Sequence, residues 1–170
     1  MSKKKYGLVF GIFFCMFLGA YSIGAMYKMS DDQTRDFLKQ FSHATQGIGA
    51  LGIFLHNASV AIPMFIPAAG VALGDYTAGT TGAAFSAMAA TNAEISNVSP
   101  IAFLLASPFG MMELVAYSIG MSRSFLLIVT IFKKNSLKKE IRPVLIEVAI
   151  VVSLLLVAGI VESMMVNKHI

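Results

Sequence analysis

Ser107-Pro108-Phe109-Gly110-Met111-Met112-Glu113-Leu114-Val115-Ala116-Tyr117 places a carboxylate inside an apolar run. The nearest basic residue in sequence is Arg123, ten positions on. An acid at membrane depth is costly, so one that persists should face the protein interior and find a partner. Pro108 removes a backbone donor and stops an upstream helix, where lipid offers no substitute hydrogen bond. Ser107-Pro108 also fits an N-cap followed by proline at the first helical position. The stretch therefore reads as a helix break followed by a new span with a buried acid.

The rest of the chain fits that reading. Of 170 residues, 56% are hydrophobic and 13% are charged, against about a quarter charged in soluble domains. This is an all-α integral membrane protein, a single transmembrane domain over residues 1–170. The length suffices for about five spans of roughly 20 residues. The net charge of +4 is then a topology signal and does not point to nucleic acid. Cys15 is the sole cysteine and cannot form an intramolecular disulfide; it reads as a small core or lipid-facing residue. The three histidines show no ligand spacing, so neither a metal nor a cofactor is expected.

Lys3-Lys4-Lys5 precede an uncharged run that resembles a signal peptide. It is long enough to span, and more spans follow, so residues 6–27 read as an uncleaved first span. Gly7 and Gly11 give it a seam of small residues. Residues 31–43 form a short interfacial helix, with Phe37, Leu38 and Phe41 on one face and Asp31-Asp32 at its start. A second span covers 44–73, kinked by Pro63 and Pro67. Within it Asn57 can bond across helices, and His56 reads as a core or interfacial side chain. Gly70 and Gly74 close it with another small seam. Residues 76–92 carry small residues four apart (Gly79, Ala83, Ala87, Thr91 and Gly82, Ser86, Ala90). That suits a third span buried among helices, although alanine and threonine give it little hydropathy signal.

A polar connection follows, in which Asn97-Val98-Ser99 is formally a glycosylation acceptor, with Pro100 speaking against its use. Residues 100–106 read as a half-helix opened by Ser99-Pro100. The fourth span, 108–132, lines up Glu113, Tyr117, Gly120 and Ser124 on one interior stripe. These residues, with Asn57, form the expected buried polar centre: Glu113, Asn57, Tyr117 and Ser124, beside the break motif Ser107, Pro108 and Gly110. Arg123 lies roughly 80° off the stripe, which argues against an intrahelical pair with Glu113. Lys133, Lys134, Lys138, Lys139 and Arg142 make a basic cluster at the membrane surface. The last span, 143–165, places Glu147 within reach of that loop and Glu162 at the opposite interface, both as structural acids.

With five spans, the N-terminus and the basic loop share one side and hold eight Lys/Arg; the other side holds four. The positive-inside rule then gives a multi-pass cell-membrane protein with a cytoplasmic N-terminus and an external C-terminus.

The order of features has a parallel. Asn57 is followed by Gly70 and Gly74, a small-residue segment, P-x-G-x-x-E (Pro108-Phe109-Gly110-Met111-Met112-Glu113) and A-x-x-x-G (Ala116 to Gly120). Over residues 45–165 this resembles the stage II sporulation protein M family, the DUF95 group of small polytopic membrane proteins. In spore-formers the family member is a scaffold in an engulfment complex with cell-wall hydrolases. Relatives occur in organisms that form no spores, so that role does not carry over. Phe109 stands where members often carry histidine, which removes a histidine–glutamate pair.

The leading expectation is a non-enzymatic scaffold or complex component that self-associates, as a homodimer through its spans, and recruits other membrane proteins. Under it Glu113 accepts a hydrogen bond from Asn57, Tyr117 or open backbone. The alternative is a small transporter or channel subunit with Glu113 titrating at a broken helix, and Asn57 and Ser124 lining the site. An intramembrane enzyme built on His56 and Glu113 has too few ligands and no hydrolase motif. The basic loop could bind anionic headgroups, although orientation alone accounts for it.

Overall fold

The structure is a computed structural model and describes residues 3–45 and 48–166. Residues 46–47, inside the expected second span, and Lys168 in the tail lie outside the described residues. Among the described residues every regular element is helical. They are α1 (Lys3–Ala25), α2 (Asp31–Thr45), α3 (Ala50–Ala61), α4 (Ala69–Thr91), α5 (Pro100–Ala106), α6 (Pro108–Phe132) and α7 (Ile141–Val166). Short 3-10 turns at Ile62–Phe65 and Leu137–Lys139 extend α3 and introduce α7. Short helices thus form where helices over 31–43 and 100–106 were expected, as α2 and α5.

Three helices are long and apolar enough to cross a membrane: Lys4–Ala25, Pro108–Phe132 and Ile141–Met165. Central among them is α6, buried along its middle from Ala116 to Ser124. Buried Ser118 and Ser122 donate to the carbonyls of Leu114 and Ser118, 2.7 and 2.6 Å away, so neither serine hydroxyl is left unbonded in a dry interior. Phe13 packs on Phe125 and Phe17 on Tyr117, which sets α1 antiparallel to α6. Arg123 pairs with Glu147 and Glu113 lies near Glu162, which sets α7 antiparallel on another side of α6.

The remaining helices do not divide as the sequence reading placed them. Residues 44–73 are not one kinked span followed by another at 76. The break falls at 62–68, and Gly70, Gly74 and Asp75 are already inside α4. Pro63 and Pro67 explain the position: each lacks an N–H, and four residues apart they deny a helix two consecutive turns of bonding. The chain reverses through Ala68 (φ 68°, ψ −50°), with the Ala69 N–H donating to the Pro67 carbonyl at 2.9 Å. This is a γ-turn, uncommon for a residue with a Cβ.

α3 and α4 consequently form a hairpin against α6. Descending α3 meets α6 at Asn57–Glu113, then Ala61 and Met64 beside Gly120, then Ile66 beside Ser124. Returning α4 meets it at Gly70 beside Ser124 and Gly74 beside Met121. The tip therefore sits level with Ser124, eight residues before the end of α6 at Phe132, or about 12 Å short of that end at 1.5 Å per residue. Where five crossings were expected, three helices are both long and apolar enough to cross, and α3 and α4 form this hairpin.

The small residues of α4 serve close packing. A Cβ at Gly70 would strike the Met64 carbonyl, and one at Gly74 the Met121 side chain. Gly24 and Gly82 bring the α1 and α4 backbones together in the same way. Gly7, Gly11 and Gly19 differ: a Cβ at any of them meets nothing within 4 Å. The Gly70/Gly74 seam is filled within the chain; the Gly7/Gly11 seam is open.

Candidate functional site

Glu113 sits five residues into α6, about 7–8 Å from its start, nearer one end of the bundle than its middle. Asn57, buried on α3, donates its side-chain N–H to Glu113 Oε1 at 2.5 Å. A half-buried carboxylate thus gains a polar partner from the hairpin. Glu162 of α7 lies within electrostatic reach of it. Three elements meet at this point through two acids and one amide.

The expected polar centre separates into two places. Tyr117, one turn below Glu113, is buried and stacks on Phe17 with ring centroids 5.7 Å apart. Ser124 is three turns below and donates to the Ile66 carbonyl at 2.7 Å. That bond closes a carbonyl exposed by the proline break, which also accepts from the Gly70 N–H at 2.9 Å. The interior stripe is real, yet its upper member pins the start of the hairpin and its lower member pins the tip.

The break motif is also placed differently from the expected cap. Ser107 occupies the N-cap position of α6 in extended geometry, but its hydroxyl makes no cap bond. It turns back to the Leu104 carbonyl, 3.1 Å away. A Cβ at Gly110 would strike Ser107 Oγ and the Leu104 carbonyl, so glycine there lets α5 fold tightly onto α6. Pro108 stops α5, Ser107 closes its last carbonyls and Gly110 admits it. His56 points outward and is exposed, while Asn57 beside it points in.

A second polar centre escaped the sequence reading. Arg123 is 5% exposed. Its Nε donates to Glu147 Oε2 at 2.6 Å, its second amino nitrogen to Glu147 Oε1, and the first to Glu140 Oε2 at 2.8 Å. The ring of Tyr6 lies under the guanidinium, 5.7 Å from its carbon, and Tyr6 also hydrogen-bonds Glu147. The planar fork of arginine matches a carboxylate with two parallel bonds. Glu147 thus serves Arg123 and not the basic loop, as had been expected of it. The signal was present: Arg123 and Glu147 bear opposite charge on two spans joined by a short loop, at similar distances from it. Asp75 was missed because the reading placed it between spans; its Oδ1 is buried without a hydrogen-bond partner among the described residues.

These features describe a small polytopic helical membrane protein whose central helix opens at a serine-proline break and holds a half-buried acid. The chain matches the family profile described as stage II sporulation protein M over residues 7–166, and it belongs to that family. No curated protein and no solved structure matches it.

Proposed function

We propose that the protein is a non-enzymatic membrane scaffold or complex component in which the Asn57–Glu113 bond is an architectural pin. The observation that carries the reading is the 2.5 Å bond itself, which ties the acid to the hairpin. Its partners are other membrane proteins and a second copy. The second copy is met through the open Gly7/Gly11 face of α1, where Cys15 is also exposed. Bare glycines let two helices approach closely in lipid. The chain resides in the cell membrane, with the basic end cytoplasmic and the C-terminus external.

The test is Glu113→Gln in proteoliposomes, with assembly and proton flux followed together. The amide still accepts from Asn57, so assembly and the absence of flux should match the unaltered protein. Measurable flux in the unaltered protein that the variant abolishes would overturn the scaffold reading. It would install the alternative, a small transporter or channel subunit. That alternative draws on the proline-broken hairpin and on the half-buried acids Glu113 and Asp75, elements from which transporters build ion sites. For self-association, native mass spectrometry in mild detergent should give a dimer, and copper-catalysed oxidation should trap it through Cys15; monomer alone removes the homodimer.

A further inference from the structure

No Asp or Glu occurs between residues 1 and 30 or between 114 and 139. The acids that flank the basic end are therefore Glu140 and Glu147, and both are bound to buried Arg123. Lys4 and Lys5 of α1 and the five basic residues of the 133–142 loop are all exposed. Tyr6 touching Arg123 fixes α1 at this same end. Buried Arg123 draws both acids inward, and the fully exposed charged side chains of this rim are all basic.

The rim is amphipathic as well as basic. Phe132 precedes Lys133-Lys134, Leu137 precedes Lys138-Lys139, and Ile141 precedes Arg142. These apolar side chains are 82%, 46% and 56% exposed. The loop is too short to carry its lysines far from the ends of α6 and α7. Lys134 adds a further indication. It takes φ 52° at the end of α6, with its N–H bonded to the Ile131 carbonyl at 2.9 Å and that of Asn135 to the Thr130 carbonyl at 3.0 Å. This is the helix stop that usually uses glycine, and here the position holds a cation.

We infer that the basic end is a binding surface for the headgroup phosphates of anionic lipids. Phe132, Leu137 and Ile141 enter the acyl boundary, and the lysines meet phosphates just above. An acidic protein segment would use the lysines but leave the three apolar side chains facing water, so lipid fits the whole surface better.

Native mass spectrometry of the full chain in mild detergent tests this with phosphatidylglycerol against phosphatidylcholine of identical acyl chains. Phosphatidylglycerol should be retained at least about tenfold better. Each lysine removed should cost roughly fivefold, so K133Q/K134Q/K138Q/K139Q should hold the two lipids alike. Glu140→Gln should raise the preference. Single Lys138→Gln, on the outer side of the loop, gives a readout if the fourfold variant does not fold. Equal retention of both lipids by the unaltered protein, or an undiminished preference in Lys138→Gln and the fourfold variant, overturns the inference. So does tight binding of a polyglutamate peptide without lipid preference, which would assign the surface to an acidic protein.

Discussion

Arg123 of α6 and Glu147 of α7 face each other as fork to carboxylate, with Nε–Oε2 at 2.6 Å, and Arg123 is almost fully buried. The pair ties the central helix to the last one, with Glu140 and Tyr6 completing the cluster.

Breaking one side of such a pair strands a buried charge. Arg123→Met should destabilise the protein by about 3–5 kcal/mol, read as a fall in melting temperature in detergent. Arg123→Met with Glu147→Leu should recover most of that loss, because neither half of the pair is left without the other. If the single and double variants melt alike, the pair is not the contact that matters.

Asn57→Leu removes the partner of Glu113 and should cost about 1–3 kcal/mol. Adding Glu113→Leu should restore part of it, since two apolar groups leave nothing unsatisfied. A thermal-shift cycle over the four proteins measures the coupling. An energy near zero would mean that this bond does not hold the hairpin.

The two glycine seams should respond oppositely. Gly74→Val must displace Met121, so it should lower the melting temperature or prevent folding, as overpacking costs typically 1–3 kcal/mol or more. A Cβ at Gly11 meets nothing within 4 Å, so Gly11→Val fills open space. It should leave the monomer's melting unchanged and weaken the dimer, checked by size-exclusion chromatography with light scattering.

Ala68→Gly relieves a positive φ at the hairpin tip and should stabilise by roughly 1 kcal/mol, the cost of the left-handed region for a residue with a Cβ. Hydrogen exchange across 62–70 should slow with it. Unchanged exchange would mean that the turn is not strained.

The chain alone makes the class, the family and most helix ends legible. Apolar content and low charge demand a bilayer, and Ser99-Pro100, Ser107-Pro108 and the basic loop stop or start helices through local backbone chemistry. It also marked Asn57 and Glu113, because isolated polar groups in apolar runs must be bonded to something. Their pairing, and the pairing of Arg123 with Glu147, belonged to the tertiary structure. Both join residues on different helices, and only the packing of those helices sets which polar groups share a depth. The division at 62–68 was decided there too. Pro63 and Pro67 announce a disturbance, but a kinked span and a returning hairpin have the same local sequence. Met64, Ser124 and Met121 against the bare glycines of α4 resolve the choice, since close packing on α6 holds the chain folded back.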